Sequence, residues 1–460
     1  MSRSLTIALM GVILFSCLYA YLLPLLGEET RYASVAWRMF VEHQWFIPHW
    51  GNNAYLQKTP LLFWCLDLGW WINSHWPWHV VVPLIFSLLT VFYTQKLAQV
   101  LFPDKPPISF LAPLTLIAMP FFIDNLGILR FDMMLTLFNM MACYYLIRKN
   151  YGMFVLANGL GLLAKGPVIY LFTIPEVFLY CFYFANRPAH DVVKWLTGIM
   201  LSVGALMIWW GPIIYQGKSA LIYTMLSEQI FARTTGSKGV VKPIWDYLPL
   251  LPCFFLPWIF LPSFLRFNTN DIHDKKIMRY LMQIFIICFI VFSLIKTKES
   301  RYLLPLAPLM AIFIAARLEK SKIVYALMIM SFLVTATLDL GVTHARVKTQ
   351  DLTPAVKFID TLLVKNIPVV SRDPSMPDMQ FIGRWQVSLP VTVKEDKFHA
   401  WAVAHPNGWV ITSTQKNTQH AYAMMLDGCF EQSYSHLDRV LQICSVSRVI
   451  VVPDNKINIA

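Results

Sequence analysis

Long apolar stretches separated by shorter polar segments make up the chain from its start to about residue 343. A helix needs about 20 apolar residues to cross a bilayer, and several of these stretches reach that length. They predict eleven membrane-spanning helices, at 5–26, 79–101, 108–124, 132–147, 151–164, 167–185, 194–215, 247–265, 278–295, 302–316 and 322–341. The pattern therefore indicates a polytopic, all-α membrane domain at 1–343.

The pattern changes from about residue 344 onward. Helical periodicity is found there at 352–365 and 435–443, whereas β-rich stretches occur at 367–370, 409–412 and 448–452. These segments predict a C-terminal soluble α/β domain at 344–460. Within the membrane domain, a long Trp-rich outer loop at 27–78 predicts helices that lie on the membrane surface.

Lys and Arg residues are distributed unevenly between the two predicted sides of the membrane. With the N-terminus inside, the short inner segments hold thirteen basic residues and the short outer loops hold five. Basic residues are enriched in cytoplasmic loops, so this orientation is favoured. The long outer loops, at 27–78 and 216–246, add seven more and weaken the bias. The basic residues on the outer side are therefore the ones that need a functional explanation.

Composition narrows the class of protein. With 57% hydrophobic and 14% charged residues, the chain is not an ordinary soluble protein. Its net charge of +12 indicates attraction to anionic lipids, and no nucleic-acid-binding motif is present. The first span lacks a small-x-small cleavage site and is predicted to be retained. Of the eight cysteines, Cys429 and Cys444 lie in the polar C-terminal region, where an oxidising compartment would allow a disulfide.

Two adjacent carboxylates follow the first span, in the sequence Glu-Glu-Thr-Arg-Tyr at 28–32. Glu28 and Glu29 are costly in hydrocarbon, so we expect them at or above the interface. Arg31 either offsets their charge or binds a phosphate bidentately. Taken alone, such an acidic stretch is more typical of a solvated first helical turn.

Further polar residues fall at the outer ends of the predicted spans. They are Lys58, Arg130, Asp132, Lys165, Lys296, Lys298, Arg301 and Tyr302. A single Lys or Arg at a helix end is more typical of a side chain that reaches for the interface. Lys165, however, stands at a Lys-Gly-Pro turn between two spans and has little room to do so. Taken together, carboxylates surrounded by cations suit group transfer from a phosphate, because cations neutralise the phosphate and a carboxylate activates the acceptor.

The stretch at 28–32 resembles the Asp-Glu-Thr-Arg-Tyr motif of lipid A aminoarabinose transferases. These belong to the polyprenyl-phosphate-sugar-dependent, GT-C type glycosyltransferases, which also include protein O-mannosyltransferases. Other similar stretches follow in order: Gln-Lys-Thr-Pro at 57–60, Asp132 with Leu-Thr-Leu-Phe at 135–138, Gly-Leu-Leu-Ala-Lys-Gly-Pro at 161–167, Pro-Ile-Trp-Asp-Tyr-Leu-Pro at 243–249, and 298–305. The resemblance covers about residues 1–320.

The resemblance implies a multi-pass enzyme of the bacterial inner membrane. It would move a hexosyl or pentosyl group, with inversion, from a polyprenyl-phosphate donor to a periplasmic acceptor. The acceptor would be lipid A, another envelope glycolipid, or a protein Ser or Thr. Glu28 and Glu29 would be catalytic, and the residues that bind substrate or phosphate would be Arg31, Tyr32, Lys58, Arg130, Asp132, Lys165, Lys298, Arg301 and Tyr302. The active site and the 344–460 domain would share the periplasmic side.

The chain departs from the family pattern at three places. Glu28 stands where the family has its catalytic Asp, and Gln57 replaces the acid beside Lys58. No His precedes Pro243, where aminoarabinose transferases place one. The acid and the His are metal ligands in that subgroup, and Gln is a poor substitute for a carboxylate. The sequence therefore implies no definite cofactor and argues against a divalent metal.

Two functions of other classes remain open. A flippase would carry a lipid-linked sugar across the bilayer without chemistry, but transporters place charges near the midplane and show repeated halves. Here the charges collect at one face and no repeat is evident. A non-catalytic envelope scaffold built around 344–460 would leave Lys165 and the outer cations unexplained.

Overall fold

A computed structural model describes most of the chain. The described residues are 3–51, 53–227, 241–265, 271–318, 321–372, 378–387, 389–392, 394–415, 424–426, 429–434 and 439–446. The chain divides into two compact units. The first comprises Met1–Ala20, Leu56–Cys65 and Trp76–Leu340, and the second comprises Tyr21–Tyr55, Leu66–His75 and Gly341–Ala460.

Helices dominate the described residues up to 350. In chain order they are α1 (Arg3–Leu22), α2 (Glu28–Glu42), α3 (Leu61–Ile72), α4 (Trp78–Leu101), α5 (Pro106–Ile117), α6 (Pro120–Ile123), α7 (Phe131–Ile147), α8 (Tyr151–Lys165), α9 (Tyr170–Phe184), α10 (Pro188–Ser202), α11 (Met207–Tyr215), α12 (Ser219–Leu226), α13 (Leu251–Phe255), α14 (Pro262–Leu265), α15 (Ile272–Leu294), α16 (Ala307–Ala315) and α17 (Lys322–Gln350). Short 3₁₀ helices lie at Gly166–Ile169, Val203–Leu206, Ile244–Leu250, Trp258–Phe260 and Ser300–Leu306.

Six described segments are long and apolar enough to cross a membrane. They are Arg3–Leu22, Trp78–Leu101, Tyr151–Phe184, Pro188–Tyr215, Ile272–Leu294 and Lys322–Val347. Five shorter apolar helices are Leu61–Ile72, Pro106–Ile117, Phe131–Ile147, Ile244–Phe255 and Ser300–Ala315. The prediction of a polytopic, mostly helical membrane protein is thus confirmed, whereas the count of eleven spans stays a prediction.

Prolines explain where predicted spans and observed helices differ. The first span was expected at 5–26, but α1 ends at Leu22, two residues before Pro24, because a residue that precedes proline disfavours the helical region. The predicted continuous span at 247–265 is a series of short helices instead. Four prolines fall in that segment, and each removes a backbone N–H donor that a continuous helix would use. They are Pro249, Pro252, Pro257 and Pro262.

The core of the first unit forms around α7, which is buried along nearly its whole length. Most of its side chains are apolar around the whole helix, as expected for a helix enclosed by other helices. A polar pair also lies inside this core: Asn139 Nδ2 of α7 donates to Glu176 Oε1 of α9 at 3.1 Å. Both side chains are fully buried. Glu176 was not predicted as a site residue, although an ionisable residue within an apolar span is itself a signal of a functional site.

The chain turns back after α8, as the Lys-Gly-Pro sequence predicted. Gly166 has φ +72°, which L residues with side chains rarely adopt. A Cβ on Gly161 would meet Ile169 Cγ1 at 2.8 Å. In a straight helix, residues eight apart would be separated by about 12 Å along the axis. The close approach therefore shows that α8 ends at Lys165 and that the chain folds back over its last turns.

The second unit contains α2, a short hairpin and a five-stranded sheet. The hairpin pairs β1 (His49–Trp50) with β2 (Asn53–Ala54). The sheet strands are β3 (Val369–Ser371), β4 (Trp409–Gln415), β5 (Met424–Leu426), β6 (Cys429–Tyr434) and β7 (Arg439–Ser445), in the order β3-β4-β7-β6-β5. The β3–β4 pair is parallel and the other pairs are antiparallel. Three helices accompany the sheet: α18 (Thr353–Val364), α19 (Met379–Ile382) and α20 (Glu395–Ala404).

Most local predictions for residues 344–460 that fall on described residues are confirmed. The helix expected at 352–365 is α18, and the strands expected at 367–370 and 409–412 are β3 and β4. The helix expected at 435–443 is wrong, because residues 439–445 form the strand β7. The strand expected at 448–452 lies outside the described residues.

Strand pairing gives the physical reason for the error at β7. Leu441 and Ile443 are both buried, with the two-residue spacing of a strand, and they join the core that covers α18. The strand pairs with β4 on one side and β6 on the other, so both edges of its backbone are bonded. Cys444 lies directly opposite Cys429 with the two Cα atoms 4.4 Å apart, and the two form a disulfide.

Candidate active site

A buried carboxylate organises the polar residues of the first unit. Asp132 lies in the first turn of α7 and is 4% exposed. Lys165 Nζ donates to Asp132 Oδ1, and Arg301 Nε lies 3.7 Å from Asp132 Oδ2. The Lys165 ammonium also lies 4.5 Å from the centre of the Tyr302 ring. Four of the predicted residues are thus brought together here, in what we call the Asp132 cluster: Asp132, Lys165, Arg301 and Tyr302.

Helix ends place these side chains. A carboxylate in the first turn of a helix is stabilised by the positive end of the helix dipole, which suits Asp132 on α7. Lys165 occupies the last turn of α8, where a cation is stabilised in the same way. Arg301 and Tyr302 begin the 3₁₀ helix Ser300–Leu306, so they come from a third element. The convergence of three elements could not be read from sequence spacing.

An apolar cavity adjoins the Asp132 cluster. Its volume is about 480 Å³. Lys165 and Tyr302 contribute to its lining together with Gln57 and Lys58, while most other lining side chains are apolar, such as Trp209. Lys58 is half-buried, and its ammonium lies 5.7 Å from the Phe131 ring centre. The cavity therefore combines two cations with an apolar wall.

Two further predicted residues of the first unit, Lys298 and Arg130, lie outside the Asp132 cluster. Lys298 is 2% exposed and donates to the carbonyl oxygens of Lys242 (3.1 Å) and Ile295 (2.6 Å). Its burial lowers its pKa. Two of its three donors therefore stabilise the backbone, and its phosphate role stays a prediction. Arg130 is half-buried immediately before α7, and its Nε has no hydrogen-bond partner among the described residues.

The second unit contains the paired carboxylates. Glu28 and Glu29 form the first turn of α2, which follows Gly27 at φ 53°. Thr30 Oγ1 donates to the Gly27 carbonyl at 2.6 Å, which closes this turn. Glu29 is buried (4% exposed), whereas Glu28 is half-buried. A solvated first helical turn was one interpretation of this stretch. The structure agrees with it only in part, because Glu29 and Thr30 are buried.

Arg31 lies between an aromatic ring and a carboxylate of the second unit. Its guanidinium carbon is 4.7 Å from the Trp50 ring centre, and its Nε is 3.7 Å from Asp378 Oδ1. Burial acts to lower the pKa of Arg31, but Asp378, with smaller contributions from Tyr55, Tyr32 and Glu28, raises it overall. Tyr32 is buried on the same helix. Arg31 therefore stays cationic in a partly enclosed site.

Trp50 and Asp378 were not predicted from the sequence. Trp50 was one of many Trp residues in the 27–78 loop, and no spacing set it apart. Asp378 lies in the C-terminal region, where the motif resemblance does not extend. One signal was present, since Ser-Met-Pro-Asp at 375–378 places an acid directly before the helical stretch at 379–382, a usual position for a helix start.

Comparison with known proteins confirms the resemblance that the motifs predicted. No family model matches the chain. It is 26% identical over 324 residues to the undecaprenyl phosphate-alpha-4-amino-4-deoxy-L-arabinose arabinosyl transferase of Yersinia enterocolitica, covering 65% of this chain and 58% of that protein. It is also 26% identical over 319 residues to the Pseudomonas fluorescens enzyme of that name, covering 65% and 55%. The match thus spans less than three fifths of the length of these relatives.

Solved structures extend the likeness to nearly the whole chain. ArnT from Cupriavidus metallidurans bound to undecaprenyl phosphate aligns with a TM-score of 0.70 and 15% identity, covering 98% of this chain and 99% of that one. The apo form of the same protein gives a TM-score of 0.67 over 96% and 99%. The chain therefore has the fold of ArnT, and its sequence is similar to those of aminoarabinose transferases.

Proposed function

We propose that the protein is an inner-membrane glycosyltransferase that moves a sugar from a polyprenyl-phosphate donor to a periplasmic lipid, with lipid A as the favoured acceptor. The observation that carries this proposal is the Asp132 cluster beside the apolar cavity. A donor of this class has a phosphate joined to a long hydrocarbon chain. The cavity of the first unit offers cations and an apolar wall together.

The basic residues suit the phosphate of such a donor. Lys165 and Lys58 both line the cavity, and an ammonium group is a compact donor to phosphate oxygens. Asp132 faces both Lys165 and Arg301, so the four residues of the Asp132 cluster carry more positive than negative charge. A partly enclosed site strengthens the attraction between that charge and a phosphate. The apolar lining would accept the first isoprene units of the chain.

The carboxylates of α2 suit activation of the acceptor. Glu28 is more exposed than Glu29, so it is the better placed of the two to contact an acceptor hydroxyl or phosphate. In this role it would remove or orient a proton while the sugar is transferred with inversion. Glu29, which is buried next to it, is the second candidate for this role. Arg31 and Tyr32 would contribute to phosphate binding.

The names of the relatives favour a pentose over a hexose. Those enzymes transfer 4-amino-4-deoxy-L-arabinose, and we propose a sugar of that kind for this chain. A lipid acceptor is favoured over a protein Ser or Thr for the same reason. Nucleic acid is not proposed as a partner, since the positive charge is accounted for by phosphate and anionic lipid.

The residues present do not fit the metal site that the family resemblance implies. Within the described ranges, no three His, Cys, Asp or Glu side chains converge as a metal site requires. Gln57 lines the cavity where the family has an acid, and its amide oxygen is a weak ligand for a divalent cation. We therefore assign no step to a metal.

The proposed topology places this chemistry on the periplasmic side. It keeps the eleven spans expected from the sequence, with the spans 151–164 and 167–185 on either side of Lys165 and with the N-terminus inside. It divides the chain into a membrane domain at 1–343 and a periplasmic domain at 344–460. The Cys429–Cys444 disulfide supports that side, because disulfides persist in the oxidising periplasm.

A transfer assay tests the proposal. Purified protein would be supplied with undecaprenyl-phosphate-linked aminoarabinose and lipid A, and the modified lipid A measured by mass spectrometry. We expect transfer by the wild type and a donor KM raised roughly 10- to 100-fold in Lys165→Ala, since a charge-assisted bond to phosphate is lost. Lys194→Ala is the matched control, because Lys194 also lies over aromatic rings, at 5.9 Å from Tyr151 and 5.7 Å from Trp195, but does not line the cavity.

The alternatives give different results in the same assay. Absence of transfer by the wild type, with lipid-linked sugar still crossing the bilayer of a vesicle, would support a flippase. Transfer to a protein substrate but not to lipid A would show that the acceptor is a protein and not lipid A. Equal donor KM values for Lys165→Ala and Lys194→Ala would remove the Asp132 cluster from donor binding.

A further inference from the structure

One carboxylate of the C-terminal region is enclosed against α2. Asp378 immediately precedes α19 and is 0% exposed. All the contacts described below lie within the second unit. A carboxylate withdrawn from water is costly unless a cation and hydrogen-bond donors compensate it. The groups around Asp378 therefore indicate what it does.

Three hydrogen bonds fasten the backbone of 378–385 to α2. Ser34 Oγ donates to the Asp378 carbonyl at 2.6 Å and accepts from the Phe381 N–H at 3.1 Å. Trp37 Nε1 donates to the Trp385 carbonyl at 3.0 Å. These bonds involve no atom of the Asp378 side chain. The segment is therefore held against α2 independently of the carboxylate, so the charge of Asp378 can be removed without releasing it.

The Asp378 carboxylate itself contacts Trp50 and Arg31. Trp50 Nε1 donates to Asp378 Oδ1 at 2.6 Å, and Arg31 Nε lies 3.7 Å from the same oxygen. The Arg31 guanidinium also lies over the Trp50 ring at 4.7 Å. Asp378 thus orients the Trp50 indole by accepting from its N–H. The indole ring covers the face of the Arg31 guanidinium, and the carboxylate lies at the Nε edge of that guanidinium. An arginine confined in this way is arranged before a ligand arrives.

We propose that Asp378 is a positioning residue for donor binding: it fixes Arg31, through an ion pair and through Trp50, in the orientation in which Arg31 contacts the donor phosphate. The inference rests on the proposed function, which assigns Arg31 to phosphate binding. It adds that a residue of the C-terminal region takes part in sugar transfer. The region at 344–460 is then part of the enzyme's working site and not only an appended fold.

The charge of Asp378 alone would act in the opposite direction. A carboxylate near a phosphate repels it, so its removal would tighten donor binding if orientation did not matter. Positioning predicts weaker donor binding instead, because the freed guanidinium must be ordered again on each binding event. The sign of the change therefore separates the two effects.

Asp378→Asn provides the first measurement. The amide keeps an oxygen to accept from Trp50 and removes the charge that faces Arg31. In the transfer assay we expect the donor KM to rise on the order of tenfold, as is typical when the partner of a ligand-binding side chain is lost. The kcat should change much less, since the chemical groups stay in place. A merely structural defect would lower the active fraction, and hence kcat, at an unchanged KM.

Asp360→Asn is the matched control. Asp360 also accepts a hydrogen bond from an indole, that of Trp385, with Nε1 to Oδ1 at 2.7 Å. It lies on α18, and the structure pairs it with Trp385 and not with Arg31. The two variants remove the same charge from the same kind of contact. We expect the donor KM of Asp360→Asn to match the wild type.

Two further variants keep the test decisive. In an Arg31→Ala background, Asp378→Asn should add no further rise in donor KM, because the residue acts through Arg31. Trp50→Phe keeps the ring under Arg31 but removes the indole N–H, and should raise the KM by a smaller factor than Asp378→Asn. If thermal melting shows that Asp378→Asn does not fold, Trp50→Phe provides the measurement instead.

The outcomes distinguish this inference from the proposed function. An unchanged or lowered donor KM in Asp378→Asn, or a full effect of that change in the Arg31→Ala background, would overturn the positioning role while leaving the transferase intact. An inactive wild type, or an Arg31→Ala variant with normal donor KM, would instead overturn the assignment on which the inference rests.

Discussion

Two polar regions of this protein, the Asp132 cluster and the group formed by Arg31, Trp50 and Asp378, contain the same kinds of contact in different numbers. In each, an arginine Nε lies 3.7 Å from a buried carboxylate, that of Asp132 or that of Asp378. In each, a cation lies over an aromatic ring, at 4.5 Å for Lys165 on Tyr302 and 4.7 Å for Arg31 on Trp50. Among the contacts of the described residues, however, the carboxylate faces two cations in the first region, and a cation together with an indole N–H in the second.

This difference in charge separates what the two regions can do. Two cations and one carboxylate leave the Asp132 cluster with a net positive charge, which suits a phosphate. Arg31 and Asp378 balance each other, and Glu28 contributes negative charge near Arg31. The second region therefore suits orientation and proton removal as well as phosphate contact. The lesson is that similar contacts acquire different roles through one extra cation.

The largest expected effect comes from Glu28→Gln. It keeps the size of the side chain but removes the base, so turnover should fall by roughly two to four orders of magnitude. Donor KM should stay near the wild-type value, because the cations of the Asp132 cluster are untouched. Steady-state kinetics with varied donor measures both. Glu28→Asp is the control, and it should keep some activity, limited by its shorter side chain. Near-normal turnover in Glu28→Gln would show that Glu28 is not the catalytic base.

The next effect concerns stability in the Asp132 cluster. Asp132→Asn leaves Lys165 and Arg301 without their shared carboxylate, which should cost about 3–5 kcal/mol of unfolding free energy. Thermal unfolding in detergent measures it. The double variant Asp132→Asn/Lys165→Met should recover part of the loss, because it removes one unbalanced charge at similar volume. If Asp132→Asn is as stable as the wild type, the two cations do not depend on this carboxylate.

A smaller effect is expected from the disulfide of the second unit. Replacing Cys429 and Cys444 by Ser frees a loop with a sequence separation of 15 residues, which corresponds to about 3 kcal/mol at most in the unfolded chain. In limited proteolysis the C-terminal region of this variant should be cut sooner than that of the wild type. The donor KM in the transfer assay should stay at the wild-type value. A changed donor KM in this variant would show that the sheet and the donor site are coupled.

The smallest effect is expected from metal removal. With Gln57 in place of an acid and no His before Pro243, EDTA should leave the rate of transfer nearly unchanged. Transfer assays before and after chelation measure this. Strong inhibition that zinc or manganese reverses would show that ligands come from elsewhere, and His43 and His49 would be the first to replace.

The sequence by itself determined the class of protein and the local features of its membrane part. Apolar length predicted a polytopic, mostly helical membrane protein, the Lys-Gly-Pro sequence predicted the turn after Lys165, and motif order predicted the likeness to aminoarabinose transferases. These features succeed because helix length, turn chemistry and short motifs depend on residues close together in the chain.

Only the tertiary structure decided which distant residues meet. Arg301 joins Asp132 from a separate 3₁₀ helix, and Asp378 reaches Arg31 from the far end of the chain. The strand at 439–445 was mistaken for a helix because its identity depends on pairing with β4 and β6. Burial, ion pairing and strand pairing are properties of packed neighbours, and no periodicity or spacing along one segment encodes which neighbours those will be.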